Sequence, residues 1–480
     1  MSTPSFLWHD YETFGINPKL DRPAQFAAIR TDAELNEIES PIELFCQLSN
    51  DYLPDPVSMA LTGITPEIVA ERGIPEPEFV KHIHEALSRP GTCGVGYNTL
   101  RFDDELTRHL FWRNLYPPYD REWRNQCGRW DILDLVRACH AFRPEGIEWP
   151  LREDGLPSFK LEHLSAANGL SHEHAHDAVS DVRATIALAR LIKQKQPRLF
   201  EHCLKMRNKQ TVLAEIAKSE GRAFLHVSGM FGAAKANIAL VTALGWHPDN
   251  RNQLIVWDLA YDPLALFELT TEQVRQRMFT PAEQLPRDVA RLPIKTIHIN
   301  RSPIVVGDLR VLSGTRAEQL GIDLAQAEKH LANLQKAPAP MFSWHDIFKS
   351  ESIKLPKDVD GALYDGFIQD GDRRRLDQLR TYSSQQLASA HATFDDPRLP
   401  DLLMRYRARN WPDTLSQDEQ HWWQTHREER LSGLVPGVLG LGAFKHKLAE
   451  LLNNGSLTSL EVTRLSNWAE QHCSGLNMSE

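Results

Sequence analysis

No apolar run in the 480 residues approaches the ~20 needed to cross a bilayer as a helix. A helical membrane span is excluded. No CxxC pair occurs, and the six cysteines (Cys46, Cys93, Cys127, Cys139, Cys203, Cys473) are scattered, so neither a zinc ribbon nor a disulfide framework is indicated. Reduced thiols are expected. The N-terminus has no basic stretch followed by a long apolar one, so no cleavable signal and a cytoplasmic location are expected. Excess positive charge is also missing. A formal net charge of -10 argues against coating nucleic acid by bulk electrostatics, and any such binding must be local.

What is present is ordinary globular composition, 41% hydrophobic and 25% charged, in a chain long enough for about three domains at ~100 to 200 residues each. No fixed-period repeat or long low-complexity tract occurs. Residues 1–196 mix strands and helices. Phe6 to Glu12, Ala24 to Arg30 and Ile42 to Gln47 read as an antiparallel meander. A strand near Cys93 to Tyr97 follows, then amphipathic helices at Asp104 to Tyr116, Asp131 to Phe142, Leu161 to Asn168 and Ala178 to Lys195. This predicts an α/β layer architecture with a mixed sheet. Residues 197–347 open with a helix. They become β-rich at Leu254 to Leu259, Ile294 to Ile299 and Ile304 to Val306, with Thr270 and Gln273 marking one inserted helix. The Pro-containing stretch Lys336 to Pro340 suggests a boundary. Leu355 to Asp360 could carry part of the linker, and from Asp370 onward the chain reads as nearly all helix, with capping-box pairs at Ser416/Glu419 and Thr458/Glu461. Gly433 to Gly442 reads as a loop or an irregular helix end.

Three short segments carry candidate chemistry. Asp10 and Glu12 alternate on a strand and share one face. Converging carboxylates repel unless a cation binds, and hard oxygen donors suit Mg²⁺ or Mn²⁺. Asp103 sits where a strand breaks into a helix. It or its neighbour Asp104 could equally serve as an N-cap. In His174-Ala175-His176-Asp177-Ala178-Val179-Ser180-Asp181, an Asp177 cap would leave His176 on the preceding loop and Asp181 in the first turns, both able to face one site. His172, His174 and His176 also form an alternating run, a candidate zinc module, although no cysteine stands near to complete a set.

In this order, D-x-E, Y-N-x-x-R-F-D and H-D-A-x-x-D resemble the motifs of the DEDDh, or DnaQ-like, 3′→5′ exonucleases. Further segments resemble the bacterial exodeoxyribonuclease I family: Leu20-Asp21-Arg22-Pro23-Ala24-Gln25-Phe26-Ala27, Arg143-Pro144-Glu145-Gly146-Ile147, Gly155-Leu156-Pro157-Ser158-Phe159 and His226-Val227-Ser228-Gly229-Met230-Phe231-Gly232. The resemblance implies an RNase H-like exonuclease domain over 1–196, an SH3-like β-rich domain over 197–347 and a helical C-terminal domain over 348–480. It also implies hydrolysis of single-stranded DNA to nucleoside 5′-monophosphates in DNA repair and recombination. Asp10, Glu12, Asp103 and Asp181 would hold two Mg²⁺ ions, with Mn²⁺ as substitute, and His176 would be the general base.

A strand-binding groove needs cations and aromatic faces. The residues put forward are Arg108, Tyr119, Trp123, Arg137, Lys160, Lys209, Lys295, Asn300 and Tyr364, with Glu12 also at the substrate. Arg143 and Arg222 are the candidates for the acidic C-terminal tail of single-stranded DNA-binding protein, a partner the family implies. A monomer is expected. The rival readings are a DEDDh exoribonuclease, a proofreading-type exonuclease and a non-catalytic nucleic-acid scaffold.

Overall fold

The computed structural model describes residues 4–170, 177–312, 315–349 and 358–477. Its compact units do not follow chain order. The first comprises Met1–Gly128, His172–Arg183 and Lys354–Glu480, and the second Arg129–Ser171 and Ala184–Ile353.

In the first unit, β1 (Ser5–Thr13) pairs antiparallel with β2 (Pro23–Thr31), and β2 with β3 (Ile42–Cys46). The two-residue β4 (Gly73–Ile74) runs parallel beside β3, and β5 (Thr92–Gly96) lies parallel on the other side of β1. The meander read from alternation is therefore present. Leu7 and Tyr11 of β1 enter an apolar cluster with Phe26, Phe79, Ile83, Leu106 and Leu110. That sends Asp10 and Glu12 to the opposite face. Pairing with β5 ends at Trp8, so both carboxylates stand beyond the last parallel pair.

The C-terminal part of this unit is the expected helical array. Helices Asp370–Leu379, Ser384–Ser389, Leu399–Asn410, Gln417–Leu431, Leu441–Asn453 and Ser459–His472 follow one another. Both expected capping boxes form, and Ser383 with Gln386 makes another that the sequence reading omitted. The Gly-rich stretch is a tight connection. Gly433 has φ +83°, and a Cβ on Gly440 would come within 2.7 Å of the Gly433 Cα, so neither position admits a side chain cheaply.

These helices share their core with the N-terminal residues. Phe14, Phe45, Tyr52, Leu53 and Met59 pack with Leu431, Phe444, Leu448 and Leu465. Trp112 and Leu115 pack with Val359, Leu363, Leu376 and Leu402. The same unit holds a buried ionic network. Asp360 accepts from Arg22 at 3.1 Å and from Arg409 at 2.6 and 3.0 Å. Asp51 accepts from Arg409 at 2.8 Å, and Arg430 and Arg405 each reach Asp358 at 2.9 Å.

The second unit begins around β6 (Gly128–Asp131). It contains a five-stranded antiparallel sheet of β7 (Phe224–Val227), β8 (Ile238–Trp246), β9 (Gln253–Asp258), β10 (Ile294–His298) and β11 (Ile304–Val306), in the order β10-β9-β8-β7-β11. The sequence reading located β9 to β11 and omitted β7 and β8. Phe224–Val227 and the first five residues of β8 are buried without interruption, so no period-two signal marks them. The opening helix is two, Pro197–Lys205 and Lys209–Ala217. Chain punctuation near Lys336 is real, since helix Leu324–Lys336 ends there, but Trp344–Phe348 forms a further short helix. Its last carbonyls are capped by Arg275, which donates to Asp346, Ile347 and Lys349. No helix among the described residues is long and apolar enough to cross a membrane.

The ionic network makes a stability prediction. Burial opposes ionisation of Asp51 and Asp360, but the surrounding guanidiniums, Arg409 foremost, hold both carboxyls well below their usual range. Their stabilisation is thus complete above the unfolded carboxylate pKa of ~4 and disappears as pH falls below it. Asp360→Ala, which removes the nearest acid of Arg22 and leaves Arg409 only Asp51, is expected to cost about 3 to 5 kcal/mol. Denaturant unfolding at pH 7 reads that loss, and the difference from the parent should shrink under acid conditions.

Candidate active site

The extension of β1 beyond β5 meets the start of helix Ala178–Lys195. Asp177 caps that helix, its carboxylate accepting from the Ser180 amide at 3.0 Å, and Asp181 falls in the first turn. Among the described residues, Asp10, Glu12 and Asp181 form a group whose carboxylate oxygens lie within 4.8 Å of one another. Two alternate positions of a strand and one helical turn thus supply three oxygen donors to a single point.

Electrostatics at this point are unfavourable without a counter-ion. Burial, then the Asp181 charge, pushes the Asp10 carboxyl up to about 8. Burial and the charges of Asp10, Asp181 and Asp177 push Glu12 up to about 9. Three hard donors held against their own repulsion are the donor set of a Mg²⁺- or Mn²⁺-type ion. The residues present fit such a group.

Asp103 is buried and begins helix Asp103–Arg113, its main-chain carbonyl accepting from the Thr107 hydroxyl at 2.7 Å. It stands outside the group of three. The choice left open between Asp103 and Asp104 is narrowed by a partner the sequence reading did not single out. Buried Arg121 donates to Asp104 at 2.5 Å, which commits Asp104 to an internal ion pair. The N-cap position is Phe102, so Asp103 and Asp104 both stand inside the first turn. His172, His174 and His176, and with them the expected general base and the alternative zinc run, lie outside the described residues.

Of the strand-binding candidates, Arg108, Tyr119 and Tyr364 come together. The Arg108 guanidinium lies 5.5 Å from the centre of the Tyr119 ring and donates to the Tyr364 hydroxyl at 3.1 Å. It is held by neighbouring acids. Its side chain is buried and its nitrogens are taken by Glu105 at 2.6 Å and Glu122 at 2.7 and 2.9 Å, acids that the sequence reading had not connected with it. Trp123, by contrast, is 64% exposed, free for a stacking partner.

In the second unit, Arg137 pairs with Asp134 at 2.7 Å, and a Cβ on Gly229 would lie 2.8 Å from its guanidinium carbon. Gly229 of the His226-to-Gly232 segment thus lies against the end of the Arg137 side chain. Lys160 is exposed and 3.2 Å from Glu162. Lys209 donates to Asn252 at 2.7 Å. Lys295 is half-buried, its pKa lowered by burial and then by Arg291, while Asn300 is exposed. Arg143 donates to the Phe142 carbonyl at 2.5 Å and lines a groove with Arg198, His202 and Val311. Arg222 is exposed, 3.3 Å from Glu328.

Comparison with known proteins bears on all three regions. Residues 7–189 match the exonuclease family model, 207–350 the exonuclease I SH3-like domain and 357–472 the exonuclease I C-terminal domain. The chain is 46% identical over 426 residues to exodeoxyribonuclease I of Escherichia coli (strain K12), covering 88% of this chain and 89% of the relative. It is similar to the crystal structure of E. coli exonuclease I in complex with a dA16 oligonucleotide, with TM-score 0.92 and 42% identity over 98% of this chain and 100% of the other. A zinc-bound E. coli exonuclease I–single-stranded DNA complex is similar at TM-score 0.90 and 42% identity, over 98% and 99%. An exonuclease I complex with SSB-Ct is similar at 0.88 and 41%, over 99% of each.

The raised carboxyls make metal binding a proton-releasing event. Below pH ~4 folded and unfolded chains are equally protonated at these positions. Between there and about 8 to 9 the folded protein holds the extra protons, so metal-free stability falls as pH rises through that window. Adding Mn²⁺ to weakly buffered protein at pH 7 is expected to acidify the solution. Asp181→Asn should reduce the protons released per ion bound.

Proposed function

This chain is an enzyme of the exodeoxyribonuclease I family, and from that premise we propose that it hydrolyses single-stranded DNA from the 3′ end, releasing nucleoside 5′-monophosphates. The observation that carries the reading is the convergence of Asp10, Glu12 and Asp181 on one point. Carboxylates so placed hold divalent cations at the scissile phosphate. Asp103, which opens its helix within the same unit, is the proposed fourth ligand. When bound, two Mg²⁺ or Mn²⁺ ions supply a water of lowered pKa and neutralise charge developing on the phosphate and the leaving 3′-oxygen.

The chain's own residues do the rest. Asp10 and Glu12 are fixed by the β1–β2 register, and Asp181 by a capped helix, so the donors need little reorganisation when the ions arrive. His176, five residues before Asp181, is the proposed general base that takes the proton of the attacking water. Its ordinary pKa of ~6.5 suits that transfer near neutral pH.

Trp123, Tyr119 and Tyr364 are proposed to present ring faces to bases, with Glu12, Arg108, Arg137, Lys160, Lys209, Lys295 and Asn300 contacting the strand. The solved E. coli relatives that hold single-stranded DNA support this substrate. Arg143 and Arg222 are the proposed contacts for the acidic tail of single-stranded DNA-binding protein, supported by the SSB-Ct complex of the relative. Domain limits of 1–196, 197–347 and 348–480 are proposed, supported by the three matched regions. A cytoplasmic monomer acting in DNA repair and recombination completes the proposal.

The test is mononucleotide release from single-stranded DNA, duplex DNA and RNA, with Mg²⁺ and with EDTA. Rapid Mg²⁺-dependent release from single-stranded DNA alone is expected. Equal or faster attack on RNA would favour the exoribonuclease reading and overturn this one. Asp181→Ala should abolish turnover while circular dichroism stays unchanged. His176→Ala is expected to lower kcat by about 10² to 10⁴ with metal binding largely retained.

A further inference from the structure

The 3-10 segment Val359–Asp365, with Asp358 as its cap, touches both elements that position metal-site acids. Towards β1, it holds the loop that follows Glu12. That loop is closed by the Phe14 amide on the Arg22 carbonyl at 2.9 Å, and the Asp21 carboxylate accepts from the Asn17 amide at 2.7 Å and from the Tyr52 hydroxyl at 3.0 Å. Gly15 is packed so tightly on Asp21 that a Cβ would lie 2.1 Å from its carboxylate. Leu20 projects from this closed loop between two glycines of the C-terminal region. A Cβ on Gly361 would stand 3.3 Å from one Leu20 methyl, and a Cβ on Gly437 3.3 Å from the other. Two residues on, Arg22 is bonded to Asp360.

Towards the other element, the same segment holds the helix that begins at Asp103. The Tyr364 hydroxyl donates to Glu105, in the first turn, and accepts from Arg108. Farther along that helix the Trp112 indole donates to the Val359 carbonyl at 2.8 Å. Asp358 and Asp360 are themselves fixed by Arg405, Arg409 and Arg430. The segment can move only if buried ion pairs break.

We propose that Val359–Asp365 is a positioning strut for the metal-binding carboxylates, setting the end of β1 through Leu20 and Arg22 and the start of the Asp103 helix through Glu105. The proposal rests on the reading of Asp10, Glu12, Asp103 and Asp181 as metal ligands. Leu20 and Tyr364 act here through other residues. Leu20 is partly buried, and its two methyls lie one against each glycine, so van der Waals contact couples the loop to the segment.

The test uses the full chain and Mn²⁺ alone, without DNA, read by titration calorimetry. Removing outer-shell support of metal ligands characteristically weakens metal binding by about 10- to 100-fold. Leu20→Ala is expected to weaken Mn²⁺ binding by about tenfold and to slow single-turnover cleavage of an oligo-dT substrate. Its affinity for that oligonucleotide in EDTA should stay at the parent value, and Leu20→Met should restore Mn²⁺ affinity. Tyr364→Phe, which removes a single hydroxyl at a half-exposed position, gives an independent reading if Leu20→Ala fails to fold. It too should bind Mn²⁺ more weakly than the parent. Parental Mn²⁺ affinity in folded Leu20→Ala or, should that variant not fold, in Tyr364→Phe would overturn the strut and leave the metal-site reading standing. If Asp181→Asn binds Mn²⁺ as the parent does, the ligand assignment itself fails, and the strut with it.

Discussion

Asp360 is the residue on which the first unit depends. Fully buried, it accepts from Arg22, at the start of β2, and from Arg409, on a helix nearly 400 residues later in the chain. An isolated carboxylate in that position would be intolerable, and Arg22 would lose its nearest acid without it, while Arg409 is shared between Asp360 and Asp51. Their meeting fixes where the C-terminal helices sit against the strands that present Asp10 and Glu12. The apolar clusters on either side supply much of the burial, but apolar packing is non-directional. The ion pairs, with defined donors and acceptors, select one registration.

The candidate site shows the reverse arrangement. Asp51, Asp358 and Asp360 are surrounded by arginines, whereas no arginine or lysine figures among the causes of the shifts at Asp10 and Glu12. One carboxylate cluster is neutralised by arginines of the chain, while burial and mutual repulsion raise the carboxyls of the other, a donor set that fits a divalent cation. That contrast separates an acidic group serving the fold from one poised for chemistry.

Much of this was legible from sequence because it is local. Alternation in Phe6 to Glu12 placed two acids on one face, and Asp177 as a cap placed Asp181 in the first turn. Capping pairs at Thr270, Ser416 and Thr458 marked helix starts, and each is observed. What stayed hidden is long-range. Asp103 and Asp104 are indistinguishable by spacing, and only Arg121, 17 residues on, separates them. Arg108 reads as a free cation until Glu105, Glu122 and Tyr364 are seen around it. Strands β7 and β8 escaped because burial on both faces erases alternation.

The division of the first unit between the two ends of the chain also shapes its biogenesis. Synthesis at about 5 to 20 residues per second delivers β1 first and its helical partners last, so the nascent β1 waits roughly 20 to 80 s for Asp360 and Arg409 to leave the ribosome. Until then Arg22 lacks Asp360, and Phe14, Tyr52 and Met59 lack the helices that cover them. A ribosome that stalls before the last quarter of the message would therefore release a chain whose N-terminal apolar residues stay uncovered, a substrate for chaperones and proteases.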